Sequence, residues 1–389
     1  MKILAYSHNF HPTIGGIVTY CHTLCATLTA RGEELVLFTP DPEDTREFPY
    51  PVIKMNKALA HDRIATTGYL ETAKTLKETV RRFRPDILWC CNLDTLYVVA
   101  LTHIDTAVVI TLHGSEISKN FGSRNPVKWI RSRLIKRALN RADRIITVSQ
   151  YTRALAVRHL PQFLEKIDVV HNGIVPADSK VFSVVERQQK KTGTDITLLS
   201  VGRLAEFKGF HLFPKVLSHL VQRAPGIKWV IAGEGEFRNV ISNSVKRLGL
   251  QDHVTFLGWV DPEPLSALYK NADLMVHPAV TDREGRDESF GMILVEAMMQ
   301  GCPVAVTGAG GTGEIIQDGK NGIVFDVRDP VTAGEKIAGY LDDEKRLKAV
   351  AYHGQQYALA HFTLHTCAEK TLKSMRKAVQ KFSNGEKCK

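Results

Sequence analysis

The sequence predicts two doubly wound α/β domains, each a Rossmann-like parallel sheet with helices, facing one another across a cleft. Three observations predict it. Short runs of Val, Ile and Leu alternate with longer segments of helical periodicity, the pattern of strands buried on both faces and joined by helices. The alternation occurs twice, on either side of a polar stretch at Pro176 to Asp195 rich in Lys, Gln, Thr and Ser. A chain of 389 residues is long enough to bury two cores of ordinary size.

In the first series the expected strands are Ile3-Ser7, Glu34-Thr39, Asp86-Cys91, Ala107-Leu112, Arg144-Ser149 and Ile167-His171. Helices are expected at Val18-Ala30, stopped by Gly32, and at Glu71-Arg84 and Val127-Arg141. The second series has strands at Ile196-Val201, Lys228-Ala232, Val254-Leu257, Leu274-His277, Pro303-Val306 and Ile323-Phe325. Helical segments at Thr332-Leu341, Glu344-Ala358 and His365-Phe382 close the chain. The expected domains are 1–180 and 190–360, followed by a C-terminal helix in 361–389.

Composition narrows the class. An apolar content of 44% with 24% charge is that of a soluble globular protein. The chain opens Met1-Lys2-Ile3-Leu4-Ala5-Tyr6-Ser7, with no secretory signal, and the long apolar stretch Leu96 to Leu112 is broken by His103 and Asp105 into two buried segments. These features predict a cytoplasmic protein. Seven cysteines, an odd number lying mostly inside predicted elements, fit reduced thiols used as small apolar groups. Cys21, His22 and Cys25 lack a second ligand pair at zinc-like spacing, so core packing explains them better than a metal. A net charge of +10 favours an anionic partner: nucleic acid, a phosphorylated substrate or a membrane face.

The most informative segment is Glu288-Ser-Phe-Gly-Met-Ile-Leu-Val-Glu296. With a helix beginning near Ser289, its two carboxylates stand roughly 12 Å apart along the axis. That is too far for a shared proton but suits a ligand with hydroxyls at both ends, and the helix N-terminus between them offers N–H groups to an anion. A nucleotide sugar has that shape. An ordinary amphipathic helix carrying two acids is the alternative.

Other polar groups fall where strands end, the usual ligand-binding edge of a doubly wound sheet. Gly15 and Gly16 stand before the first helix, where a backbone without side chains can approach a phosphate, although no G-x-G-x-x-G supports a nicotinamide. Arg203 and Lys208 follow the first strand of the second series and supply two positive charges on one loop. Two solvated surface charges are the alternative. Gly233-Glu234-Gly235 and Gly258-Trp259-Val260 end the next two strands, and such turns can hold a nucleobase through backbone groups. His113-Gly114 and His171-Asn172-Gly173 end strands of the first series, and Ser149, beside Arg153, is placed to cap a helix. No Asp-x-Asp triplet occurs, so the usual carboxylate clamp for a metal–diphosphate complex is missing and no metal site is expected.

Taken in order along nearly the whole chain, these motifs resemble the retaining glycosyltransferases of family 4, which have the GT-B fold. The resemblance implies that Gly16, in the Gly15-Gly16 turn, touches the donor phosphate and that Arg203 and Lys208 hold the diphosphate. It assigns the ribose hydroxyls to Glu296, the hydroxyls of the transferred sugar to Glu288, and sugar and phosphate contacts to the backbone at Phe290 and Gly291. Glu234 and Val260 fall at the nucleotide, and His113 falls near the reacting sugar. Front-face attack, with the departing phosphate accepting the acceptor's proton, implies no protein nucleophile, so Glu288 positions and stabilises. The implied donor is a UDP- or GDP-hexose, with no tightly bound cofactor. The implied acceptor is a glycan or lipid-linked glycan of cell-surface polysaccharide or lipopolysaccharide assembly. Asp287 and Arg286 make the approach to Glu288 more charged than the motif needs. The last helix, from Phe362 onward, is suited to crossing back onto the first domain.

Between Arg124 and Arg144 lie eight basic residues and one acid, Asp143, with Val127, Ile130, Leu134 and Ala138 on one helical face and Trp129 near its edge. Such a helix can lie on an anionic membrane, here the inner face of the plasma membrane, or it can cover the first sheet with a solvated basic side. Nucleic acid is not expected, since no recognised module accompanies the charge. An epimerase or hydrolase on the same scaffold, and a non-catalytic nucleotide-sugar binder, are the competing functions. The joint presence of Arg203, Lys208, Glu288 and Glu296 argues against the latter.

Overall fold

The structure, a computed structural model, describes residues 1–8, 10–11, 15–40, 47–55, 66–118, 120–121, 125–175 and 196–385. The polar connection at 176–195, Arg124 and Cys388 lie outside the described residues. The chain forms two compact units, Met1–Gly173 with Leu364–Lys389, and Ile174–Thr363.

In the first unit the elements run β1 (Lys2–Tyr6), α1 (Gly16–Ala30), β2 (Glu34–Pro40), β3 (Val52–Met55), α2 (Thr66–Phe83), β4 (Ile87–Cys90), α3 (Leu93–Leu101), β5 (Ala107–Leu112), α4 (Ser115–Ser118), α5 (Pro126–Arg141), β6 (Arg144–Thr147), α6 (Gln150–His159) and β7 (Ile167–Val169). Seven parallel strands pair in the order β3-β2-β1-β4-β5-β6-β7, with Ala5 of β1 opposite both Leu37 and Trp89. Alternate residues serve opposite faces. Leu4, Tyr6, Leu88, Cys90, Val108 and Ile110 pack with residues of α2, α3 and α5, whereas Ile3, Ala5, Ile87, Trp89 and Val109 pack with α1. Burying a large side chain completely stabilises by about 2–3 kcal/mol, so this two-faced burial outweighs the weak propensity of such short strands. The indole of Trp89 donates to Thr111 Oγ1 at 2.9 Å, which satisfies its one polar atom inside the core.

The second unit runs β8 (Thr197–Val201), α7 (Phe213–Arg223), β9 (Lys228–Ala232), α8 (Arg238–Arg247), β10 (Val254–Gly258), α9 (Pro262–Asn271), β11 (Leu274–His277), α10 (Met292–Met299), β12 (Val304–Val306), α11 (Thr312–Ile315), β13 (Ile323–Val324), α12 (Pro330–Asp342) and α13 (Glu344–His361). Its six parallel strands pair as β10-β9-β8-β11-β12-β13. Trp229 repeats the device of Trp89: its indole donates to Ser200 Oγ at 2.9 Å, and Ser200 donates to the Val276 carbonyl at 2.7 Å.

The last helix, α14 (Leu364–Ser383), belongs to the first unit. It buries Leu364, Cys367, Ala368, Leu372, Met375 and Ala378 in the cluster that also holds α1. Asp168, just inside β7, ties it down by accepting from Ser374 Oγ at 2.8 Å and Lys377 Nζ at 3.0 Å, besides Arg144 Nε at 2.8 Å.

Two features differ from the sequence expectation. Strand β3 was not foreseen: it is a four-residue edge with Lys54 inside it, too short to show a period. The apolar run from Leu96 does break into two buried segments, helix α3 and strand β5. Helix α5 covers only half of the Val127–Ile130–Leu134–Ala138 face: Ala138 is buried with Ile135 and Leu139, Leu134 partly, while Val127, Trp129 and Ile130 are exposed. All six described cysteines are free and buried. Among the described residues no helix is long and apolar enough to cross a membrane.

Candidate active site

In a doubly wound sheet the ligand crevice lies where the strand order reverses. In the second unit that point is β8, flanked by β9 on one side and β11 on the other. The loop leaving β8 is fastened to both neighbours: Leu204 N–H donates to the Glu234 carbonyl at 2.8 Å, and Val280 N–H to the Phe207 carbonyl at 2.8 Å. The side chains that converge there come from this loop, from the end of β11 and from the segment before α10.

The centre is the Glu288 carboxylate. The Lys208 ammonium donates to its Oε2, and His277, the last residue of β11, donates from Nε2 to the same oxygen at 3.2 Å. His277 is fully buried, and the Lys208 and Glu288 side chains are only 12% and 14% exposed. Burial alone raises a carboxyl's pKa; here the Lys208 charge and the His277 bond outweigh it and hold Glu288 well below the usual carboxylate range. Burial pushes His277 down, so it stays neutral at pH 7 and carries its proton on Nε2. An exposed pair such as Arg223–Asp342 contributes about 0–1 kcal/mol. Removing one partner of the buried Lys208–Glu288 pair costs on the order of 3–5 kcal/mol, because a buried charge is left uncompensated.

Arg203 is exposed. Its guanidinium lies 6.0 Å from the centre of the Phe207 ring, with Lys208 at 5.5 Å and Arg286 at 6.0 Å, so three cations gather round one aromatic side chain. Arg286 is held there by Asp282, whose carboxylate accepts from Arg286 Nε at 2.5 Å and from the backbone N–H groups of Glu284 and Arg286. Asp287 turns to Thr281, whose hydroxyl it accepts at 2.6 Å.

The expected helix start near Ser289 is corrected. Helix α10 begins at Met292, with Gly291 as its N-cap at φ 97°. That left-handed conformation breaks the helix, and the preceding segment is held elsewhere, Gly311 N–H donating to the Glu288 carbonyl at 2.7 Å. Glu288 therefore precedes the helix, and the 12 Å axial spacing does not apply. Phe290 is buried, its ring edge-on to Phe362 at 5.5 Å. Glu296 does lie on α10, where the Tyr269 hydroxyl donates to its Oε2 at 3.0 Å. Burial raises the Glu296 carboxyl, and the Tyr269 bond opposes this.

Glu234 and Val260 lie just past β9 and β10; the Glu234 carboxylate is exposed and paired with Arg238 at 3.2 Å. A cavity of about 670 Å³ opens at the carboxyl ends of β11 to β13, with Thr281, Thr307, Ala309 and Phe325 in its wall, beside the Glu288 segment and not around it. Among the described residues no group of three or more His, Cys, Asp or Glu converges as metal ligands do.

In the first unit Gly15 is the extended N-cap of α1 and Gly16 its first residue. A Cβ placed on Gly15 would meet nothing within 4 Å among the described residues. His113 follows β5, is buried, donates from Nε2 to the Cys91 carbonyl at 2.9 Å and meets the Tyr20 ring edge-on at 5.1 Å. Ser149 caps α6 by accepting from Thr152 N–H at 3.0 Å, which accounts for that serine without a ligand.

The family described as Glycosyltransferase Family 4 matches residues 14–178, and Glycosyl transferases group 1 matches residues 183–357. The chain belongs to the family 4 glycosyltransferases. Among its relatives is the glycogen synthase of Mycobacterium tuberculosis, 26% identical over 95% of this chain and 93% of that protein. A GDP-mannose-dependent phosphatidylinositol monomannoside mannosyltransferase of Mycolicibacterium smegmatis is 25% identical over 94% and 95%. Anabaena HepE in complex with UDP-glucose superposes with a TM-score of 0.76 at 21% identity, over 97% of this chain and 99% of that one. The fold is GT-B.

Two residues of the candidate site were assigned no contact in the sequence reading. His277 stood in a strand-end His-Pro pair, a weak signal; Tyr269, on a helix 27 residues before its carboxylate partner, gave none.

Proposed function

We propose that this glycosyltransferase moves a hexosyl unit from a UDP- or GDP-hexose to a hydroxyl of a glycan or lipid-linked glycan, with retention and without a metal. The observation that carries this is the buried Lys208–Glu288–His277 cluster at the strand-order reversal, next to Arg203. The cations meet the diphosphate, taking the part a metal plays elsewhere. Glu288 accepts from the hydroxyls of the transferred sugar, and Glu296, fixed by Tyr269, from the ribose. Glu234, Val260 and the backbone at Phe290 and Gly291 complete the donor's contacts. In the first unit, Gly15, Gly16 and His113 are assigned to donor phosphate and sugar.

In the reaction the bond from the anomeric carbon to the diphosphate oxygen breaks as the acceptor oxygen bonds to the same face of that carbon. The acceptor's proton passes to the departing phosphate oxygen. No protein nucleophile takes part, and the residues act by position and charge. The relatives named above support both donor bases, one using GDP-mannose and one bound to UDP-glucose.

The acceptor is proposed to belong to cell-surface polysaccharide or lipopolysaccharide assembly on the cytoplasmic membrane face, reached through α5. Val127, Trp129 and Ile130 are exposed there beside Lys128, Arg131 and Arg133. That pairing of apolar and basic groups suits an anionic membrane.

The deciding experiment uses purified protein with panels of nucleotide sugars. Glu288→Ala is expected to lower transfer by about 100-fold or more, the size of a lost transition-state contact, while UDP or GDP affinity changes only a few-fold. Unchanged turnover removes the role given to Glu288. Hydrolysis or isomerisation of donor alone at the transfer rate would replace transferase with hydrolase or epimerase.

A further inference from the structure

Resting on the donor-binding roles proposed above, we infer that His277 is a positioning residue that keeps Glu288 aimed at the sugar when Lys208 turns to the diphosphate. Lys208 and His277 share one oxygen, Glu288 Oε2. Lys208 is thus engaged with the carboxylate that belongs to the sugar, although its proposed partner is the phosphate. An ammonium has three donors, but its single charge is drawn to the stronger acceptor, and a diphosphate outcompetes one carboxylate. Donor entry therefore weakens the contact that does most to keep Glu288 ionised.

What remains is the imidazole. His277 is fully buried at the end of a central strand, edge-on to Phe210 at 6.1 Å. Its Nδ1 has no partner among the described residues. A neutral ring that donates from Nε2 leaves Nδ1 as an acceptor, so the single N–H is committed to Glu288. A side chain locked in this way loses no rotamer freedom when the donor arrives, whereas Lys208 moves on a flexible stem. The titratable groups that face Glu288 are Lys208, from the loop after β8, and His277, from β11.

Gln and Asn separate this role from bulk packing. The amide nitrogen of Gln reaches the place of Nε2, while that of Asn reaches only the place of Nδ1. For His277→Gln, kcat is expected to stay within a few-fold of the parent. For His277→Asn it is expected to fall at least tenfold, with the Kd of UDP or GDP changed less than threefold. The acid limb of the kcat profile for His277→Asn should move to higher pH, because Glu288 in the donor complex then lacks its remaining partner. In a Glu288→Gln background the two His277 variants should turn over equally.

Equal kcat losses in both variants, an unmoved acid limb, or losses that multiply with Glu288→Gln would overturn the positioning role. A nucleotide affinity that falls in step with kcat would overturn it too. If Glu288→Ala alone leaves transfer intact, the donor-binding roles fail instead, and the two failures are told apart.

Discussion

The Tyr269 hydroxyl and the Glu296 carboxylate form a hydrogen bond of 3.0 Å between neighbouring helices, α9 and α10, with Tyr269 2% exposed. Glu296 raises the phenol's pKa, whereas the Tyr269 hydrogen bond lowers the carboxyl's against its burial. Burial first, and then Glu296's charge, hold the phenol far above its usual range, so Tyr269 remains a donor at every working pH. The carboxyl is raised by burial and eased by the phenol. Tyr269 thus fixes the Glu296 carboxylate from one side.

Tyr269→Phe should therefore destabilise the second unit by about 2 kcal/mol at pH 7.5, the scale of a lost bond to a charged group. The sign with pH follows from the raised carboxyl. In the fold Glu296 binds a proton more readily than in the unfolded chain, so its burial costs stability above the folded pKa and the cost disappears as pH falls through it. The variant raises that pKa further. Its deficit against the parent should shrink toward pH 5, read from urea midpoints at both values. A deficit independent of pH would mean that Tyr269 supports packing and not the carboxylate.

Asp168 gives the opposite sign. Burial pushes its carboxyl up, but the bonds from Arg144, Ser374 and Lys377 outweigh this and hold it below the usual value. Its contribution is complete above the unfolded pKa of about 3.9 and is lost as pH falls through the lower, folded value. Asp168→Ala should cost roughly 1–3 kcal/mol at pH 7 and converge with the parent in acid. Amide exchange should quicken first in α14, which this carboxylate anchors; unchanged exchange there would separate the anchor from the network.

Two glycines offer a contrast between strain and contact. Gly249 has φ 68° and open space around a hypothetical Cβ, so Gly249→Ala pays only the left-handed penalty of about 1–2 kcal/mol. Gly311 has an ordinary φ of −72°, but a Cβ there would collide with the Ser289 carbonyl oxygen. Gly311→Ala must displace the segment that carries Glu288. Donor affinity and transfer should fall at least tenfold in Gly311→Ala and stay within about twofold in Gly249→Ala. Equal transfer rates would show that the Glu288 segment tolerates the shift.

How much of this was legible in the sequence depends on how local each cause is. Strands such as β5 and β11 could be read because burial on both faces leaves continuous apolar runs, and the gathering of Arg203, Lys208 and Glu288 could be anticipated because the motifs keep their order. The start of α10 could not, since Ser289 and Phe290 carry no bar of their own to a helix; the left-handed Gly291 breaks it, and Gly311, far along the chain, holds the Glu288 carbonyl elsewhere. The links that give the site its electrostatics span 11 residues for His277–Glu288, 27 for Tyr269–Glu296 and 80 for Lys208–Glu288. No periodicity encodes such pairings. Which side of α5 is covered stayed open in the sequence for the same reason: α3, not the helix's own pattern, determines it.

The exposed half of α5 carries the last prediction. Trp129 and Ile130 are each 55% exposed and Val127 48%, and the Arg133 guanidinium stacks 4.7 Å from the Trp129 ring. Surface side chains of this kind add little to folding, so Trp129→Ala/Ile130→Ala should unfold within about 0.5 kcal/mol of the parent for each change. Inserted into a headgroup layer, two large apolar side chains contribute about 1.5–3 kcal/mol each, and each nearby Lys or Arg contributes about 1 kcal/mol on an anionic surface. The parent should therefore float with anionic vesicles and much less with neutral ones, and binding should weaken as salt screens the charges. The double variant should bind anionic vesicles at least tenfold more weakly. Equal and negligible flotation of the parent with both vesicle types would remove the membrane from its function, and retention by the double variant would move the contact away from α5.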